Sequence, residues 1–184
     1  MDSEFWHQRW QNNQIGFHNA EANPLLLTYF HELAMARDSR VFVPLCGKTR
    51  DIGWLLSQGY RVAGAELSEL AIEQLFAELV VQPEITDAGE VKRYSAPDLD
   101  VYVGDIFKLT ANTLGTVDAV FDRAALVALP EDMRDRYARH LTEITSNVPQ
   151  LLLTFEYDQT QMPGPPFSVC DQEVRRHYEE FIPL

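Results

Sequence analysis

The sequence predicts an α/β fold: a mainly parallel sheet with helices on both faces, a three-layer αβα arrangement. Three observations carry this. Five short runs rich in apolar and branched residues, at 40–44, 60–66, 99–104, 117–121 and 150–155, alternate with segments of helical spacing. The first two runs bracket a short helix, so residues 40–66 (RVFVPLCGKTRDIGWLLSQGYRVAGAE) form a βαβ unit. At 184 residues the chain makes one domain, large enough to bury about 70% of its unfolded surface.

The elements follow in order. Residues 3–11 read as a helix whose Trp6 and Trp10, four apart, share a face, with Trp6 anchoring it to the core. The loop after it holds Gly16 and Phe17, and aromatics there could close as a lid over an apolar site. Asn23-Pro24 starts a second helix by cap and first-turn preference, with Leu26, Tyr29, Phe30 and Leu33 inward. Residues 1–36 are thus N-terminal helices and a candidate lid, and 37–184 form the core. In the core, Ile52, Leu55 and Leu56 space a helix over 51–58, and Gly59 is its C-terminal glycine. Ser68 caps a helix over 69–80. Residues 82–89 read as a loop, 92–95 as a small strand and Pro97-Asp98 as a turn. Residues 131–145 are an amphipathic helix with Met133, Tyr137, Leu141 and Ile144 inward. The loop QTQMPGPPF is stiffened by its prolines and can hold a pocket wall, and 171–181 looks helical.

In such sheets ligands bind outside the carboxyl ends of the strands. Glu66 ends the second run, and a carboxylate there can accept two hydrogen bonds from a ribose diol; a solvated strand-end glutamate is the plainer alternative. The loop PLCGKT has one glycine, Gly47, too few for a pyrophosphate cradle or a P-loop. A ribose without a diphosphate points to a nucleoside-type cofactor, of which S-adenosylmethionine is the common one. Asp105 follows the third core strand and could meet an adenine amino group or simply cap a turn, while Ile106 and Phe107 could pack on a purine. Arg123 ends the fourth; its fork suits a carboxylate, and an ion pair with Asp122 is the alternative. Cys46 reads as a small buried residue rather than a nucleophile.

The net charge of −13, with no basic stripe, argues against a nucleic-acid partner. No apolar run reaches the roughly 18 residues of a membrane span, and the start MDSEFWHQRW has no signal-peptide core. Two cysteines make no disulfide framework, so a reducing cytoplasm is the simplest compartment. The five histidines are scattered without ligand spacing, so no metal is expected.

The motifs FWHQRWQ, VFVPLCGKTRDIGWL, GYRVAGAELSELAIEQLF, GDIFKL, FDRAALVALP and PGPPFSV, in this order over essentially the whole chain, resemble the bacterial form of the thiopurine S-methyltransferases. The resemblance implies a Rossmann-like class I S-adenosylmethionine-dependent fold and methylation of an aromatic or heterocyclic thiol. It implies cofactor contacts from Trp10, Leu45, Glu66, Asp105, Ile106 and Arg123, although Ser is common in the family at the position of Asp105. Bacterial members are also associated with selenium and tellurium compounds. The family fold continues beyond the fifth core strand, so its last two strands are expected to be absent and that strand to be an edge. Phe17 and Phe167 are candidates to line the acceptor pocket, no side chain is assigned as catalytic, and a monomer is expected. The competing readings are a non-catalytic sensor of the same cofactor and a nicotinamide-dependent oxidoreductase, which PLCGKT disfavours.

Overall fold

The computed structural model describes residues 3–179. One seven-stranded sheet runs in the order β3 (Glu84–Ala88), β4 (Val91–Ala96), β5 (Leu99–Val103), β2 (Arg61–Glu66), β1 (Arg40–Val43), β6 (Ala119–Arg123), β7 (Gln150–Leu153). β5, β2, β1, β6 and β7 pair in parallel, and β3 and β4 join as an antiparallel hairpin on the β5 side. The sheet is therefore mixed but mainly parallel.

Alternation along the strands assigns the two faces. Val41 and Val43 pack on one side with Leu26 and Phe30, with Ile52 and Leu55 of α3 (Arg50–Ser57), and with Ile72 and Phe76 of α4 (Glu69–Leu79). Phe42, Ala63, Tyr102 and Val120 face the other way, onto Tyr137, Leu141 and Ile144 of α6 (Glu131–Thr145). Both faces are apolar because both are covered, as parallel sheets require. Each large side chain fully buried here contributes roughly 1.5–3 kcal/mol.

Helix starts follow local chemistry. Asn23 accepts from Leu25 N at 2.9 Å to cap α2 (Pro24–Tyr29), Thr49 accepts from Asp51 N at 3.3 Å, and Ser68 accepts from Ala71 N at 3.3 Å. The N-terminal helix α1 (Ser3–Gln11) lies across the strand ends, and α7 (Asp171–Tyr178) packs on α6 through the Arg134–Glu173 pair at 2.6 Å.

Three expectations need correction. Residues 84–88 are not a loop but the edge strand β3, which pairs with β4 across a tight turn at Gly89, φ +76°. Its residues are exposed except the half-buried Ala88, so no apolar run announces it, and pairing to β4 makes it a strand. β6 runs to Arg123, so Asp122 and Arg123 are strand residues, and β7 stops at Leu153. A short helix α5 (Ala111–Leu114) and three 3₁₀ turns (Phe30–Leu33, Ile106–Lys108, Leu126–Ala128) were not foreseen. The last helix is described as far as Tyr178, with Glu179 as its cap; residues 180–181 of the expected helix lie outside the described residues. β7 borders β6 alone among the described residues.

Candidate active site

A cavity of about 680 Å³ opens at the carboxyl ends of β1, β2 and β6, beneath α1 and the loop that follows it. Glu66 ends β2 and enters this cavity only 7% exposed. Gly47 N donates to its Oε2 at 2.8 Å, and Ser68 N donates to its Oε1 at 2.8 Å. Burial pushes its carboxyl above the usual range, and the two backbone donors act against that shift. The carboxylate is therefore not a solvated strand end. It is held in one orientation, with lone pairs left over for a ligand.

The loop after β1 is shaped for close approach. Cys46 N donates to Ala65 O at 2.9 Å, which continues the ladder to β2 for a further residue. Leu45 (φ +46°), Gly47 (φ +51°) and, across the cavity, Ala124 (φ +62°) all take left-handed backbone and all line the cavity. For non-glycine residues such conformations cost of order 1–3 kcal/mol and cluster at functional sites. Trp10, 4% exposed, occupies the space a side chain at Gly47 would need: a Cβ there would sit 2.9 Å from the Trp10 ring. Cys46 is buried, and burial followed by the charge of Glu66 pushes its thiol well above the ordinary value, so it stays neutral and inert.

Aromatic side chains form the cover. Phe17 meets Trp10 edge-on at 5.6 Å and Trp6 at 5.8 Å. Arg123 Nη2 donates to Phe17 O at 3.1 Å and so ties the N-terminal loop to the end of β6. The opposite wall includes Leu153, Phe155, Pro165 and Pro166. His18 also lines the cavity, and desolvation, then nearby Lys48, lowers its imidazole below the usual value.

Trp10, Leu45, Glu66, Arg123 and Phe17 are thus brought together around one space. Asp105 and Ile106 are not among its lining residues. Gly104 N donates to Glu66 O at 2.9 Å, which sets this segment next to the end of β2. Asp105 itself is exposed, and its side chain accepts from Phe107 N at 3.0 Å, capping the 3₁₀ turn Ile106–Lys108. Ile106 is 6% exposed, with its carbonyl 2.8 Å from His140 Nε2. Phe167 is not among the cavity's lining residues; its backbone N donates to Val127 O at 2.7 Å. The proposed Asp122–Arg123 ion pair is not formed. Asp122 points to the opposite face, wholly buried, and accepts from Tyr137 Oη at 2.7 Å and Leu126 N at 3.1 Å. Alternation along β6 explains this, since neighbours on a strand face opposite sides. Sequence reasoning missed Arg9, His18 and Lys48, which also line the cavity. For Arg9 the available signal was its place between Trp6 and Trp10 on one short helix. Among the described residues, no group of three or more His, Cys, Asp or Glu is placed to hold a metal ion, and no helix is long and apolar enough to cross a membrane.

Comparison with known proteins gives this geometry a family. The model for the family described as Thiopurine S-methyltransferase matches residues 1–182. A thiopurine S-methyltransferase of Xanthobacter autotrophicus is 62% identical over 179 residues, covering 97% of this chain and 84% of that protein. One from Acinetobacter baylyi is 48% identical over 184 residues, covering 98% and 85%. Among solved structures, the 1,6-didemethyltoxoflavin-N1-methyltransferase of Burkholderia thailandensis, bound to its substrate and S-adenosylhomocysteine, has the same fold. Its TM-score is 0.67 at 16% identity, over 97% of this chain and 75% of that one. The magnesium protoporphyrin IX methyltransferase of Synechocystis has a TM-score of 0.65 at 13% identity, over 98% and 89%. The chain belongs to the thiopurine S-methyltransferase family, enzymes whose methyl donor is S-adenosyl-L-methionine.

Proposed function

We propose that the cavity seats S-adenosyl-L-methionine with its ribose on Glu66 and its carboxylate towards Arg123. An aromatic or heterocyclic thiol, such as a thiopurine, then lies under Trp6 and Phe17. The observation that carries this reading is Glu66, a buried carboxylate aimed into a cavity and braced by Gly47 N and Ser68 N. When bound, the cofactor supplies a methyl group already activated on a sulfonium, so the protein needs no nucleophile of its own.

What remains for the chain is placement and exclusion of water. Trp10 on Gly47 closes the space above the β1 loop, and Trp6, Phe17 and the two prolines supply flat walls for a ring. Cys46, kept neutral, does not compete as an acceptor. Asp122 is turned away and cannot serve as base, and a heterocyclic thiol that ionises readily does not require one. Selenium and tellurium nucleophiles, softer and larger than sulfur, fit the same displacement, and such methylation would serve detoxification. The proposed setting is a reducing cytoplasm, in which Cys46 and Cys170 stay thiols, and the proposed state is a monomer.

Calorimetric titration with S-adenosylhomocysteine tests the cofactor site. Binding is expected, and Glu66→Ala should weaken it by about 1–3 kcal/mol through loss of a charged hydrogen-bond partner. A variant that binds as tightly as wild type removes the ribose from Glu66. A radiolabelled-methyl assay with a thiopurine separates an enzyme from a sensor, which would bind without turnover.

A further inference from the structure

We propose that Arg9 is the receptor for a negative group on the methyl acceptor, so that the cavity favours aromatic thiols bearing a carboxylate or similar oxyanion. The inference deepens the thiol-methylation reading and rests on it.

The first support is a reversal of charge. The chain has 28 acidic and 15 basic residues, yet Arg9, Lys48 and Arg123 line the cavity against the single carboxylate of Glu66. Lys48 is already paired with Glu78 at 2.8 Å, and both oxygens of Glu66 already accept backbone hydrogen bonds. Arg9 and Arg123 have no carboxylate within ion-pair distance among the described residues. Desolvation, then Lys48, shifts His18 towards its neutral form.

The second support is the state of Arg9 itself. Its Nε is buried without a hydrogen-bond partner. Its one hydrogen bond is long, 3.5 Å from Nη1 to Gln14 O, and its guanidinium lies 4.6 Å from the Phe5 ring centre. A guanidinium offers five N–H donors, and burying even one of them without an acceptor carries a cost. A planar anion would satisfy the fork in bidentate fashion.

Position then separates the two guanidinium groups. Arg123 stands at the end of β6, on the side assigned to the cofactor carboxylate. Arg9 sits on α1, three residues after Trp6, whose ring is assigned to the acceptor. A ring against Trp6 and Phe17 with an anion on Arg9 describes an arene thiol with a charged substituent.

The test uses the full chain and two acceptors matched in shape, 4-mercaptobenzoate and 4-methylbenzenethiol. In Arg9→Met, the preference for the charged acceptor, as the ratio of the two kcat/KM values, should fall ~10–100-fold, mainly through KM. Arg9→Lys should restore part of it. Titration of the methylated product, 4-(methylthio)benzoate, into protein saturated with S-adenosylhomocysteine should show the same loss without any turnover. An unchanged preference in Arg9→Met overturns the proposal. So does a loss of S-adenosylhomocysteine affinity in that variant, which would put Arg9 on the cofactor instead. Arg9-dependent binding of the product by a protein that methylates neither thiol would sink the methylation reading and keep the anion receptor.

Discussion

Glu66 and Asp122 are both buried carboxylates near the carboxyl ends of strands that flank β1, and their partners give them opposite roles. Glu66 meets two backbone N–H groups at the cavity floor, whereas Asp122 meets Tyr137 and Leu126 N inside the far layer. Burial raises Asp122 from 3.8 to about 6, with its hydrogen bonds opposing that shift. The sign follows from proton linkage: the folded state holds this proton more tightly than the unfolded chain. Its stabilising contribution is therefore full below about pH 4 and is lost as pH rises through 6. Asp122→Asn should remove that dependence. Relative to wild type it should gain up to about 3 kcal/mol between pH 4 and pH 7, starting from a deficit for one weakened hydrogen bond. Denaturant melts of both proteins across this range provide the measurement, and parallel curves would contradict the assignment.

At the scale of elements, the caps were legible because their chemistry is local. Asn23, Ser68 and Gly59 stand where the sequence places them, each satisfying the end of a helix or turning the chain after it. The end of α4 departs from those preferences. Its cap is Val80, a branched residue at φ +56°, 90% exposed. Such a conformation costs an L-residue roughly 1–2 kcal/mol, only part of which glycine's greater chain entropy offsets. Val80→Gly should stabilise the protein by about 0.5–1 kcal/mol and raise Tm by about 1–4 °C in calorimetry. A lower Tm would mean that this end of the helix carries no strain. The β3–β4 hairpin was legible only in part: residues 92–95 read as a strand, but those of β3 do not, for the opposite reason. Its outer strand buries almost nothing, so only its partner defines it.

Across the whole molecule, the N-terminal segment is joined to the core at three separate points. Trp10 rests on Gly47, Phe17 O accepts from Arg123, and Asn23 N donates to buried Asp51 at 2.7 Å. Gly47 and Arg123 line the cavity, and Asp51, in the first turn of α3, is hydrogen-bonded to Thr49, which lines it too. A ligand in the cavity should therefore order the segment. Hydrogen exchange of residues 3–20 should slow when S-adenosylhomocysteine is added, and in Glu66→Ala the same ligand concentration should slow it less. At a ligand concentration 100 times Kd the whole fold should gain about 2.7 kcal/mol, or about 5–10 °C in Tm. Exchange in this segment unaffected by saturating ligand would show that it is no lid.

The sequence by itself determined the layered α/β fold, the βαβ unit and the carboxylate that ends its second strand. Those follow from apolar runs, caps and glycine spacing, which act within a few residues. Only the tertiary structure decided that Asp122 faces inward and Arg123 outward, that Arg9 shares a space with Glu66, and that residues 84–88 are a strand. Those facts depend on strand phase and on contacts between segments distant in the chain: Arg123 and Phe17 are separated by 106 positions. No local pattern encodes such a meeting, because burial and pairing are settled when the layers close on one another.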